Sequence, residues 1–325
     1  MLVGHQKQWQ FLIKSAELGK LPHALLFYGQ GQLGKKALAI EFVKYLNCEK
    51  VSFSKKSRTK AELGAGPCQT CRNCQDIQKG AYPDFVLVEP DPLKKEIQIS
   101  QIRNLIGKLS LRPYSADFKV AILDKAHSMN EEAQSCFLKF LEEPRGKTLF
   151  ILITEYPQLL FPTILSRVQK LRFFPIKINE IEKYLAEQGI SKEKAKYFSS
   201  FSFGKPGLAL NFLHDSQKLE NQKKLISDLI EISNSDLAIR FRYAKTLSEM
   251  TSDGDTKREI LDIWLRYFRA LFISSVTRER KFGDFSQYSL SKIKNIIKAI
   301  QTTNYLISNT NTSPRLALEI LLMKL

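Results

Sequence analysis

From Leu25 to Ile40 the chain reads LLFYGQGQLGKKALAI. An apolar run ends in glycine, a glycine-bearing turn follows, and apolar residues then return at helical spacing as Leu38, Phe42, Tyr45 and Leu46. Strand, loop and helix in that order are the setting that the phosphate-binding pattern G-x-x-x-x-G-K-[ST] requires. Gly29, Gly34 and Lys35 fall on the pattern, with Gly31 between the two glycines, and Lys36 stands where Ser or Thr is expected. In such a loop, backbone N–H groups and a helix N-terminus face an anion while the lysine adds charge at the outer phosphates. The missing hydroxyl normally ligates Mg²⁺. Lys36 cannot ligate a cation and repels one, so Mg²⁺ is not expected here. Two readings stay open: ATP or ADP bound without Mg²⁺, or a glycine turn kept for packing alone.

Outward from the loop, DFVLVEP (84–90), FKVAILDKAH (118–127) and TLFILITEYP (148–157) read as further buried strands, and LLFPTILSRVQKLRFFP (159–175) as a helical turn followed by a strand. Between them, 97–115 reads as a helix with Ser100 as N-cap and Ile102, Leu105, Ile106 and Leu109 on one face. Residues 131–144 read as another helix, stopped by Pro144, with Cys136 as a core thiol. Strands alternating with helices imply a mainly parallel sheet covered on both faces. The α/β region is expected over 1–174, a small helical region broken at Gly204–Gly207 over 175–214, and an all-helical region over 215–325. In the last, REILDIWLRYFRALF reads as helix packing, with a base-stacking surface as the alternative.

The third strand ends Asp124-Lys125. Active ATPases of this broad type end it Asp-Glu, the Asp for Mg²⁺ and the Glu to polarise water. A lysine, protonated at neutral pH, cannot serve as that base. Metal ligand and water activator are therefore both missing.

Four of the five cysteines lie between positions 48 and 74: Cys48, then Cys68, Cys71 and Cys74 as C-x₂-C-x₂-C, with nineteen residues separating Cys48 from Cys68. Clustering of this kind points to metal rather than to disulfides. Four thiolates close a tetrahedral Zn²⁺ site of the structural type; an iron–sulfur cluster is the rival reading. Pro67 and Asn73 suit turns between ligands. The insertion is too small for its own core, which fits an architectural metal.

A net charge of +17 suits work beside a polyanion such as nucleic acid, although a generally Lys-rich composition gives the same figure. No apolar run approaches the roughly 20 residues of a membrane span, and the N-terminus has no secretory pattern. A cytoplasmic protein with no membrane partner is expected.

Taken together, GKLPHALLFYGQGQLGKKALA, the three-plus-one cysteines, PDF, LEEP and ILSRVQKLRF resemble the delta-prime subunits of bacterial replicative clamp loaders, components of the DNA polymerase III holoenzyme. The resemblance covers roughly residues 3–215 closely and the C-terminal helices weakly. It implies an AAA+ module with a zinc-binding insertion, a helical lid and a helical collar. The assembly it implies is a hetero-pentamer with gamma/tau and delta subunits that opens a sliding clamp and loads it on primer-template DNA. Delta-prime serves there as a stator that does not hydrolyse ATP and lends an arginine to its neighbour. Ser166-Arg167-Val168 matches the family's Ser-Arg-Cys motif, which makes Arg167 the expected arginine finger acting in trans. Thr154 matches the sensor-one position, though a strand-end Thr also serves as a cap. Motor subunits carry an arginine in the lid where Gly207 falls here. The competing readings are an active gamma/tau-type ATPase, which Lys36, Lys125, Gly207 and the lack of a tau-like extension oppose, and a zinc-dependent nucleic-acid-binding module.

Overall fold

The computed structural model describes residues 3–51, 66–111, 113, 118–142, 147–250, 254–277, 288–309 and 312–325. Pro144 and most of the polar stretch before Cys68 lie outside them. The described chain forms two compact units, residues 1–208 and 209–325.

The first unit is an α/β layer structure. Helix α1 (Gln6–Glu17) is followed by β1 (Ala24–Tyr28), α2 (Lys35–Asn47), α3 (Arg72–Lys79), β2 (Phe85–Val88), α4 (Ile99–Ser110), β3 (Lys119–Leu123), α5 (Glu131–Glu142), β4 (Thr148–Thr154), the single turn α6 (Pro162–Leu165) and β5 (Gln169–Arg172). The strands make one sheet in the order β2-β3-β4-β1-β5, and every pairing is parallel. Parallel neighbours need crossovers, and the helices supply them. Side-chain alternation divides the sheet's load. Leu25 and Phe27 face a core with α1 and α2, through Leu12, Phe42 and Tyr45. Ala24 and Leu26 face the opposite core with α4 and α5, through Ile102, Leu105, Phe137 and Leu141. Each fully buried Leu or Phe contributes about 2 kcal/mol of transfer free energy, so two-sided burial explains why these strands read as unbroken apolar runs.

Three local expectations change. Helix α4 begins at Gln98, whose N–H donates to the Gln101 side chain at 2.9 Å, and Ser100 lies inside the first turn. Asn73 sits within α3 and donates to the Asn47 carbonyl at 2.9 Å; the left-handed knuckle residue is Gln69, with φ 61°. Cys136 is half-buried against the second core rather than fully enclosed.

Because the strands are parallel, their carboxyl ends share one edge. Gly29, Glu89, Asp124 and Thr154 all fall there, immediately after or at the ends of β1, β2, β3 and β4. Open parallel sheets bind ligands along this edge. Helices α7 (Ile178–Glu187), α8 (Lys192–Phe201) and α9 (Pro206–His214) follow, with the expected break before Pro206.

The second unit holds α10 (Ser216–Ser233), α11 (Leu237–Met250), α12 (Gly254–Thr277), α13 (Leu290–Asn309) and α14 (Pro314–Leu322). Trp264 and Phe268 of α12 are fully buried with Leu229, Ile296, Ile300 and Leu321. They pack the core, as the helical reading of this stretch requires. Arg240 closes helix ends by donating to the carbonyls of Ser233 (2.8 Å), Ser235 (3.0 Å) and Leu322 (3.1 Å), which satisfies acceptors that helix termini leave open. No helix among the described residues is long and apolar enough to cross a membrane.

Candidate nucleotide loop and metal centre

The turn between β1 and α2 is built as a phosphate loop is. Gly29 has φ +142°, and an added Cβ would lie 2.5 Å from the Phe173 carbonyl oxygen, so only glycine fits where the loop leaves the sheet. Its N–H donates to the Thr154 carbonyl at 3.3 Å, which ties the loop to β4. Gly34 is the residue before α2 and aims that helix's N-terminus at the loop. Lys35 is buried and donates back to the loop's own carbonyls, Gly29 at 2.6 Å and Gln30 at 2.5 Å. Burial lowers its pKa, while Glu155 and Asp124 pull the other way.

Lys36 stands where the phosphate-loop pattern has Ser or Thr. Its ammonium lies 2.6 Å from Glu89 Oε1 and 3.5 Å from Asp124 Oδ2. Burial works against its charge, but the two carboxylates outweigh that and hold its pKa above the usual lysine value. A tethered cation thus balances the carboxylates at the ends of β2 and β3. Lys125 takes a left-handed conformation, φ 51°, and its N–H donates to Asp124 Oδ1 at 3.0 Å. Lys125 thus offers no carboxylate at the position that follows Asp124.

Two further features crowd the loop. The Glu155 carboxylate packs on Gly31 so closely that a Cβ there would meet Oε1 at 2.6 Å, putting a negative charge beside the phosphate cradle. Gly207, at the start of α9, donates its N–H to the Gln32 carbonyl at 3.0 Å, and a Cβ on it would stand 2.9 Å from that oxygen. The position expected to lack the lid arginine therefore has no room for a side chain in this arrangement. Thr154 is also engaged: its hydroxyl accepts the Tyr156 N–H at 3.0 Å and lies 3.0 Å from His127 Nδ1.

His127 is held neutral. Burial first, then the charges of Lys125 and Lys35, bring its pKa down to about 4. The unfolded chain would bind that proton more readily, since an ordinary histidine titrates near 6.5. This part of the stability should be complete above about pH 6.5 and fall away as the pH drops toward 4. Urea midpoints at pH 7 and pH 5 should differ more for the native chain than for His127→Gln. An NMR titration that protonates the His127 ring near its ordinary pKa would contradict this.

The four expected metal ligands come together. The sulfurs of Cys48, Cys68, Cys71 and Cys74 all lie within 4.8 Å of one another, near the roughly 3.8 Å between sulfurs that four Zn–S bonds of about 2.3 Å imply. Cys48 ends α2, and Cys71 caps α3 by accepting the Cys74 N–H at 3.4 Å. Cys68 accepts the Cys71 N–H at 3.3 Å. Burial pushes the Cys48 and Cys74 thiols up. At Cys68 burial has the same sense, but the N–H donors of Cys71 and Thr70 outweigh it and bring the thiol to about 6. N–H donors to sulfur favour the thiolate that a metal needs. The knuckle is fastened to α2 by Gln69 and buried Lys44, which share Glu41 at 2.6 and 2.8 Å.

Arg167 belongs to neither cluster. It follows α6 on the surface; Nη2 lies 2.9 Å from Glu142 Oε1, and Nη1 donates to the Thr163 carbonyl at 3.0 Å. Val168 beside it is buried in the second core. Glu89, Glu155, His127 and Glu142 were not singled out in the sequence. Their common signal is position: the first three follow strand ends, and Glu142 ends a helix.

A parallel sheet whose carboxyl edge carries a glycine loop, a lysine, an aspartate and a threonine defines a P-loop type of α/β fold, here with Lys36 where the pattern has Ser or Thr. Residues 4–177, over half of the chain, match the family described as DNA polymerase III, delta subunit, and the chain belongs to that family. It is 30% identical over 315 residues to DNA polymerase III subunit delta' of Bacillus subtilis (strain 168), covering 93% of this chain and 91% of that one. DNA polymerase III subunit delta' of Pseudomonas aeruginosa is 35% identical over 49% of this chain and 46% of its own length. DNA polymerase III subunit tau of Escherichia coli (strain K12) is 31% identical over 59% of this chain but only 28% of its own length.

Proposed function

We propose that the chain is the delta-prime type of subunit in a bacterial replicative clamp loader, a stator that does not hydrolyse ATP itself. The observation that carries this reading is Lys36: its ammonium is paired with Glu89 and Asp124 at the position a catalytic Mg²⁺ would need. Lys125 in place of a base and Gly207 against the loop agree with it. Residues 1–174 serve as the AAA+ domain, 175–214 as the lid and 215–325 as the collar. The partners are gamma/tau and delta subunits in a hetero-pentamer, with the sliding clamp and primer-template DNA met through the assembly in the cytoplasm.

Cys48, Cys68, Cys71 and Cys74 hold a structural Zn²⁺. The crowding by Glu155 and Gly207 favours the packing role of the loop over ATP or ADP binding. Arg167 serves the adjacent subunit's ATP as a trans-acting finger, which suits its exposed position just after the short helix α6.

The purified chain should show no Mg²⁺-dependent ATP turnover above the level of a Lys35→Ala variant. Robust turnover that Lys35→Ala abolishes would sink the stator reading.

A further inference from the structure

Arg167 is not held by neutral groups alone. Two of its bonds are local: Nη1 donates to the Thr163 carbonyl at 3.0 Å and to Ser166 Oγ at 3.4 Å, both from its own turn. The third is different in kind. Nη2 lies 2.9 Å from Oε1 of Glu142, the last residue of α5 and, among the described residues, its charged partner.

We propose that Glu142 is a latch on Arg167: it neutralises the guanidinium in the free subunit and has to let go before that group can serve a neighbour's phosphate. The proposal rests on the reading of Arg167 as a finger given above. Three arguments lead to it. The turn's own acceptors already orient the guanidinium, so Glu142 is not needed to aim it. A carboxylate this close also opposes the approach of a polyphosphate, since like charges repel and the repulsion strengthens as a subunit interface excludes water. Finally, the pair is exchangeable. The two side chains keep 37% and 52% of their exposure, and ion pairs so open to solvent are weak. A phosphate can take two N–H bonds from the same guanidinium fork, and such paired bonds are stronger. Glu142 therefore acts through Arg167, as a positioning residue that restrains it rather than as a catalytic one.

The test uses the loader reconstituted from the full chain and its partner subunits, with steady-state ATP turnover measured at low and high salt. Glu142→Gln should raise kcat about two- to fivefold at low salt, with KM little moved and the gain shrinking as salt rises. Glu142→Asp, which keeps the charge, should stay near the native value. Arg167→Ala should be strongly impaired, and adding Glu142→Gln to it should change nothing further. If Arg167→Ala is impaired while Glu142→Gln is unchanged or slower, the latch is wrong and the finger stands. A gain that persists in the Arg167→Ala background also overturns the latch, because Glu142 then acts elsewhere. An Arg167→Ala loader with full activity overturns both.

Discussion

Arg167→Ala is expected to slow ATP hydrolysis at the neighbouring subunit's site by about a thousandfold or more, the range in which trans-acting arginines operate. The chain itself should stay folded. The guanidinium is exposed, its neutral bonds go to a backbone carbonyl and a hydroxyl of its own turn, and its ion pair with Glu142 is a surface pair. Losing such contacts costs about 1 kcal/mol or less. Thermal melting of the variant should therefore overlay the native curve, while single-turnover hydrolysis in the reconstituted loader loses the amplitude of one site. Arg167→Lys should recover little, because an ammonium cannot reproduce the planar fork of donors. A loader that keeps every site active with either variant would remove Arg167 from the reaction.

This prediction needs the position of Arg167 and nothing from the chain's own glycine loop. The loop's groups are turned inward: Lys35 to the loop carbonyls, Lys36 to Glu89 and Asp124, Thr154 to Tyr156 and His127. A loop whose lysines are bound by the domain's own carbonyls and carboxylates needs no nucleotide to hold them in place. That is a useful property in a subunit proposed to stay fixed while its neighbours turn over. The sheet can then present other surfaces, such as the turn after α6, in a constant place.

The sheet was legible because its central strands β3, β4 and β1 are buried on both faces, and two of them end in a residue that stops them: Gly29 after β1, Asp124 after β3. Lys36 and Lys125 were legible as departures from a pattern of fixed spacing. What the pattern could not supply was the partner of each departure. Glu89, which pairs with Lys36, lies 53 residues further on, and only the parallel register of β2 beside β3 brings it there. Glu155 over Gly31 and Gly207 on Gln32 depend on folding in the same way. Helix α1 is a different case. Leu12, Ile13 and Ala16 are its buried stripe, with Trp9 packed against the same core. That spacing stands in the sequence, at an N-terminus that carries no secretory pattern. Ser100 lost the N-cap because Gln98 and Gln101 answer each other across the first turn.

Cys71→Ser is expected to lower bound zinc from about one ion per chain to near none, because a closed site needs all four ligands. Cys71 is also the residue on which the module turns. It caps α3, accepts the Cys74 N–H, donates its own N–H to Cys68, and lies 4.0 Å from Cys48 sulfur to sulfur. Structural zinc in isolated finger peptides is worth about 10–16 kcal/mol of binding free energy, which is folding free energy where no other core exists. Here the loss should be smaller and local. Gln69, Lys44 and Glu41 tie the knuckle to α2, and Asn73 ties α3 to Asn47, so the module has a second hold on a large core. Amide exchange should accelerate over residues 66–80 while the strands of the sheet keep their protection. Cys136→Ser is the control, since Cys136 lies outside the cluster and should leave zinc content unchanged. A Cys71→Ser protein with its full zinc complement would show that the ion binds elsewhere. Iron with visible-range absorption in the native protein would return the cluster to the iron–sulfur reading that the same spacing allows.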